Sequence, residues 1–243
     1  MFTFIWDTII KAPITTTLMW LISVTGNAGL SIIFLTIIIQ VVFIPLRVPS
    51  IESSFKMRNM KPELDELKEK YKDDKMALAK AQMDLYKKHN INPWGGIMPL
   101  LLSLPIIIAL YQVIQTVLVN GGESIPTTLL WLDVTKSDPF FIIPIVVAVS
   151  QFLSMQLLVP PKVDAKKVVL DGDKKKSSSP EDMAATMQTQ MKYMMPALSA
   201  FITATLPSGV GLYWITSVVF AIIQQKIVEK RFIQKQNNTN HGS

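Results

Sequence analysis

Five apolar runs, at residues 28–46, 97–119, 139–159, 193–206 and 209–225, contain no Asp, Glu, Lys, Arg or His. A chain so built can satisfy its backbone in lipid only by coiling those runs into helices. A bilayer core takes about 20 apolar residues as helix, and three of the runs meet that length. The last two are shorter and flank Pro207-Ser208-Gly209. They read as a helical hairpin with a tight turn, set among tilted neighbours or in a thin patch of bilayer. The expectation is an all-α polytopic membrane protein with five transmembrane helices.

Charge sets the orientation. Of the 24 Lys and Arg residues, all but Lys11 and Lys136 fall in the segment between the first two runs, the segment between the third and fourth, or the tail. The side rich in positive charge is cytoplasmic, so the N-terminus is expected outside and the C-terminus inside. The chain then belongs in the cell membrane. The net charge of +6 fits anionic lipid heads. The absence of cysteine removes disulfides, thiolate metal sites and a lipidated N-terminal cysteine.

In chain order, residues 1–25 are interrupted by Asp7, Lys11 and Pro13 and carry Trp6 and Trp20. They read as an interfacial helix on the outer surface, with a sixth span as the alternative. A signal peptide's basic start and small-residue cleavage site are missing. Residues 26–48 are the first span, ending at Pro45-Leu46, with Gln40 as its one strongly polar side chain. Residues 49–92 become charged and amphipathic. Met60, Leu64, Leu67 and Tyr71 form one stripe, and Met76, Ala79, Met83 and Tyr86 a second. The two predict an antiparallel helical hairpin after the first span. It is either a solvated cap or a docking arm.

The break at 92–96 admits the second span, 93–119, which Pro99 and Pro105 should bend. That span holds Ser103, Gln112 and Gln115. Residues 120–138 are expected as an external hairpin and 139–159 as the third span, with Ser150, Gln151 and Ser154 along it. Residues 160–192, rich in Lys, Ser and Asp, read as a flexible loop. Spans four and five (193–207 and 208–226) lead to a polar tail, 227–243.

These features bear on function. The two histidines lie outside every apolar run, so no span offers a histidine to a serine on another span as a rhomboid-type protease requires, and no Walker-type loop is present. No cofactor is expected, no clustered metal ligands are visible, and the reading is not an enzyme. An ion-coupled transporter needs ionisable groups in its spans, and these spans have none. Neutral polar side chains remain. Thr36, Gln40, Gln112, Ser150, Gln151 and Ser154 are the candidates for lining a hydrophilic groove, and a lone Gln40 is otherwise a helix–helix hydrogen bond.

The stretches NAGLSIIFLTIIIQVVFIPL, NPWGGIMPLLLSLPIIIALYQVI, DPFFIIPIVVAVSQFL and MKYMMPALSAFITATLPSGVGLYWITSVVFAIIQQ resemble, in order and spacing, the YidC/Oxa/Alb membrane protein insertases. The resemblance covers essentially the whole chain. It implies five core helices with a cytoplasmic hairpin after the first. It further implies a hydrophilic groove, open to cytoplasm and lipid, that takes nascent membrane proteins into the bilayer without nucleotide. On the family pattern Thr36 and Trp214, with Tyr213 adjacent, fall where a client's apolar segment slides. A polar channel or membrane scaffold that inserts no clients is the alternative.

One departure stands out. The family commonly has an arginine five residues before the Pro-Leu pair, and here that position is Gln40. Arg47 follows seven residues later, two helical turns and about 10 Å along the same face. It is expected to supply part of the missing charge, with lipid phosphate as its alternative partner. Lys226, Lys230, Arg231 and Lys235 in the tail suggest ribosome or lipid contact. The resemblance also implies a Sec-type translocon and signal-recognition components as partners, and no sequence-specific nucleic acid.

Overall fold

The computed structural model describes residues 4, 6–72, 74–89, 91, 98–120, 125–158 and 180–240, with backbone alone at 61, 75, 98–101, 157–158, 180–192 and 235–240. The break at 92–96, the loop at 160–179, Gly121-Gly122, the Lys235 side chain and the final His241-Gly242-Ser243 lie outside those residues.

The chain is mainly helical. A π-helical turn, Trp6–Lys11, runs into α1 (Ala12–Thr25). Gly26, at φ 68°, ends it in the left-handed region, where glycine carries no Cβ penalty. Helix α2 (Ala28–Val42) follows at once, and α3 (Ile44–Asn59) leaves it at a 67° bend. The break falls at Phe43, two residues ahead of Pro45. Pro45 cannot donate a hydrogen bond back to Val41 and its ring would crowd that carbonyl, so it sits in the first turn of a new helix. Helices α4 (Lys61–Lys70) and α5 (Lys75–Lys88) pack together across a turn that Asp74 closes. Its carboxylate accepts from the N–H groups of Met76 and Ala77 at 3.1 and 2.9 Å.

The packed face of α5 differs from the stripe read in the sequence. Leu78 is 2% exposed, whereas Met76 is 85% exposed and Met83 also faces outward. Hydrophobicity drew attention to the methionines, but the contact with neighbouring elements is made by the opposite side of the helix. Burial raises the Tyr86 hydroxyl above its ordinary range.

Helix α6 (Met98–Val113) passes through Pro105 and continues as a π-helical segment, Ile114–Val119. Two short antiparallel strands, β1 (Thr128–Leu129) and β2 (Leu132–Asp133), pair Thr128 with Asp133 and Leu129 with Leu132. Then come α7 (Ile142–Leu158), α8 (Pro180–Thr205) and α9 (Ser208–Asn240). Both α8 and α9 outrun the expected spans. The backbone at 180–192 is helical rather than loop, and the polar tail prolongs α9, because neither 181–192 nor 226–240 contains a proline or glycine to stop the helix.

By length and composition, three helices among the described residues can cross a membrane: Trp6–Thr25, Leu102–Val119 and Ser208–Gln234. The bent pair α2–α3 makes a fourth if it counts as one span, and Ile142–Gln156 is a shorter apolar helix. The largest buried cluster joins α1, α2, α6 and α9 through Leu18, Ile32, Leu110, Ile114 and Val210. Lipid solvates apolar side chains as well as protein does, so close packing rather than water exclusion must hold these helices together. Small residues permit it: Ala28 and Ala109 are fully buried, and a Cβ on Gly209 would come within 2.9 Å of Val134 O.

Candidate functional site

The strand end of the bundle is closed by backbone hydrogen bonds. Asn27 Oδ1 accepts from Gly29 and Leu30 N–H at 2.9 and 3.1 Å, while its Nδ2 donates to Thr128 O. Asp138 is buried and takes the N–H groups of Phe140 and Ile143 at 3.1 and 2.7 Å, starting α7. Ser208 Oγ donates to Asp133 O at 2.7 Å, and its N–H donates to Lys136 O. The 125–140 segment thus ties together the first turns of α2, α7 and α9. Burial raises the Asp133 carboxyl pKa. Hydrogen bonds from Thr135, Lys136 and Thr127 outweigh that and hold it at about 2.

The opposite half of the bundle contains a cavity of about 130 Å³. Its lining includes Arg47, Ser50 and Ser54 from α3, Ser103 from α6, Gln151 and Ser154 from α7, and Tyr213, Trp214, Ser217, Gln224 and Gln225 from α9. Helical spacing explains the α9 wall. Tyr213, Ser217, Ala221 and Gln224 recur every third or fourth residue on one face. Beyond them, Val228 joins Ile51 and Phe55 in an apolar cluster, where Phe55 and Phe232 stack at 6.3 Å between centroids.

Among the described residues Arg47 is the one charged side chain of the lining, and it is only 7% exposed. Its Nη1 donates to Oε1 of the fully buried Gln40. The 67° bend does not separate the two residues, and Gln40 holds the guanidinium from behind. A buried cation without a carboxylate is costly, and Arg47 Nε has no protein partner among the described residues. Gln40 relieves part of that cost through a charge-assisted hydrogen bond. The remaining donors suit an anion or water in the cavity.

The other sequence candidates separate. Gln151, Ser154, Tyr213 and Trp214 line the cavity with Arg47. Thr36 does not, because its hydroxyl donates to Ile32 O at 2.6 Å within its own helix. Gln112 accepts from Trp6 Nε1 at 3.1 Å, and Ser150 donates to Val147 O at 3.0 Å. Both amide and hydroxyl are therefore engaged away from the lining. Lys226, Lys230 and Arg231 are exposed on the extension of α9. Ser50, Ser54, Ser217, Gln224 and Gln225 also line the cavity, and none of them belongs to the groove set read from the sequence. Their shared helical faces are visible in the sequence, but only the bend at Phe43 reveals that α3 forms a wall. Among the described residues, no group of three or more His, Asp or Glu side chains could hold a metal ion.

The pattern of the family described as 60Kd inner membrane protein matches residues 20–236. A membrane protein insertase YidC from Wolinella succinogenes is 33% identical over 230 residues, covering 94% of this chain and 38% of the relative. A second, from Francisella philomiragia subsp. philomiragia, is 34% identical over 212 residues, 86% of this chain and 34% of the relative. The chain thus spans little more than a third of the length of these relatives. A crystal structure described as an active YidC insertase with its first transmembrane domain resolved has a TM-score of 0.63 at 24% identity. That match covers 91% of this chain and 46% of that one, and it establishes a shared fold. With a match of this extent, the chain belongs to the 60Kd inner membrane protein family and is a multi-pass membrane protein.

Proposed function

We infer that this chain is a membrane protein insertase and chaperone, acting without a nucleotide or other cofactor. The observation that carries this reading is a buried arginine facing a cavity that also has serine and glutamine side chains in its wall, inside a bundle whose apolar runs hold no charge of their own. The naming of its relatives as insertases supports the same assignment.

In this reading five helices span the membrane, α2 with the bend into α3 being the first. The Trp6–Thr25 helix lies in the outer interface, since Asp7, Lys11 and Pro13 suit headgroups better than hydrocarbon. The strand end faces outward, and the α4–α5 hairpin and the end of α9 lie in the cytoplasm, following the basic residues. A nascent membrane protein places its polar segment in the cavity. Ser50, Ser54, Gln151, Ser154 and Arg47 then replace part of the water it leaves, which lowers the cost of taking polar groups into the bilayer. Its apolar segment passes into lipid along α2 and α9 beside Trp214. Partition of that segment supplies the driving force. Lys226, Lys230 and Arg231 offer contact to a ribosome or to anionic lipid, and a Sec-type translocon is a compatible partner.

The test is photo-crosslinking from Gln151, Ser154 and Trp214 to a ribosome-stalled nascent membrane protein. Ile38, on the exposed face of α2, is the control. Adducts at the three cavity positions and few at Ile38 are expected. A folded protein with no cavity adducts would overturn the reading and leave a polar channel or scaffold.

A further inference from the structure

The α9 wall of the cavity carries a group that charge recognition does not use. Gln224 is 7% exposed and lines the cavity, and among the described residues neither its Oε1 nor its Nε2 has a hydrogen-bond partner. Its neighbour differs, since Gln225 Nε2 donates to Ser154 Oγ at 3.4 Å. An unmatched polar group away from bulk water costs on the order of 1–3 kcal/mol. Anything entering the cavity with one donor and one acceptor side by side relieves both ends of Gln224 at once.

Few groups meet that description. A carboxylate can use only the amide N–H₂, and an ammonium only the carbonyl. In an extended backbone the N–H and C=O of one residue point to the same side, and that pair matches the acceptor and donor of a carboxamide. Arg47 has only donors and selects negative charge. Gln224 carries no charge and so does not sort segments by the sign of their side chains. Its place in the wall is also distinctive: Ala221 lies one turn before it, and Val228, one turn after it, begins the apolar cluster with Ile51 and Phe55. Gln224 is therefore at the last polar level of the cavity wall on that side.

We propose that Gln224 binds the backbone amides of a client's polar segment, independently of the segment's sequence. This rests on the reading of the cavity as the client path. A segment not yet helical carries unpaired N–H and C=O groups into a poorly solvated space, and a carboxamide there satisfies them pairwise while an arginine cannot.

The experiment uses the full chain in liposomes and a single-span client whose short tail must cross. The readout is the initial rate at which the tail becomes protected from protease. Two neutral tails of unrelated sequence and a semisynthetic tail with N-methylated backbone are compared. Gln224→Leu and Gln224→Met are expected to slow both neutral tails by roughly the same factor, on the order of tenfold. Neither should slow the N-methylated tail further, the signature of one shared interaction. These apolar replacements leave no unmatched group, and unchanged thermal melting checks that they fold. Unaltered rates, or a loss that varies with the tail's side chains, would overturn the proposal. A photo-crosslinker at Ala221 separates the two levels. Client adducts there alongside normal insertion by Gln224→Leu would sink this proposal alone. No adducts at Ala221 in the otherwise native protein would sink the client path and the proposal with it.

Discussion

The strand end and the cavity end of the bundle treat polar groups in opposite ways. At the strand end, Asn27, Asp138 and Ser208 each spend side-chain oxygens on backbone groups. In the cavity, Arg47 Nε and both amide atoms of Gln224 have no protein partner among the described residues. The first arrangement stabilises one structure. The second carries a cost in stability that only an incoming molecule or water relieves. Strain and unmatched polarity concentrated in one region are the expected mark of a working site. Closure at one end lets the other stay open in its chemistry without loosening the bundle.

The largest test of this contrast is steric. Gly209→Val should destabilise the protein by about 3 kcal/mol, because its side chain would meet Val134 O, Ile32 and Ile114. Thermal unfolding in detergent would measure it, and an unchanged melting temperature would mean the strand end is not tightly packed. Next comes a pair with opposite signs. Replacing Gln40 and Arg47 together by Leu and Met should leave stability unchanged or raise it by about 1–4 kcal/mol, as for other buried polar networks exchanged for apolar ones. The same variant should insert clients with acidic tails about tenfold more slowly, measured by protease protection. A double variant that is destabilised but inserts normally would reverse the roles given to the two ends.

Smaller effects follow. Asp138→Ala removes the acceptor for two backbone N–H groups and should cost about 1–2 kcal/mol in unfolding; no measurable change would remove the capping role. Asp133 brings a pH dependence. Its folded pKa, about 2, lies below the ordinary 3.8, so its stabilisation is complete above pH 3.8 and fades as pH falls toward 2. Hydrogen exchange at the β1–β2 segment should lose protection over that interval, and Asp133→Asn should abolish that part of the loss. The smallest effect belongs to Arg58 and Glu229, 3.8 Å apart and each more than a third exposed. Glu229→Gln should change stability by less than about 1 kcal/mol, and a larger shift in the melting temperature would promote that pair to a structural element.

Much of the architecture is legible without coordinates. Charge-free apolar runs identify membrane helices because lipid offers no hydrogen bonds to an uncoiled backbone. The spacing of the motifs, from NPWGG to PSGVGLYW, points to the family; in the second of them Ser208 starts α9 and Gly209 sits where a Cβ would meet Val134 O. Gln40 stands out as the polar residue of an apolar run, and Arg47 as a charge on its helical face.

Direction and partnership come only from the folded arrangement. Thr36 and Gln151 look equally suited to a polar groove as letters in an apolar helix. One hydroxyl is consumed by its own backbone, while the other side chain faces the cavity. A hydroxyl four residues after a carbonyl always has that local option, and composition does not say whether it is taken. On α5 the exposed methionines and the buried Leu78 exchange the roles that hydrophobicity assigned them, because packing selects a face by neighbours and not by side-chain type. The bend at Phe43 is the deepest case. Pro45 announces that the helix must break, but only the angle of the new segment brings Ser50 and Ser54 round to face α9. Local sequence determines where a helix can form and stop; which of its faces becomes a site depends on contacts between residues far apart in the chain.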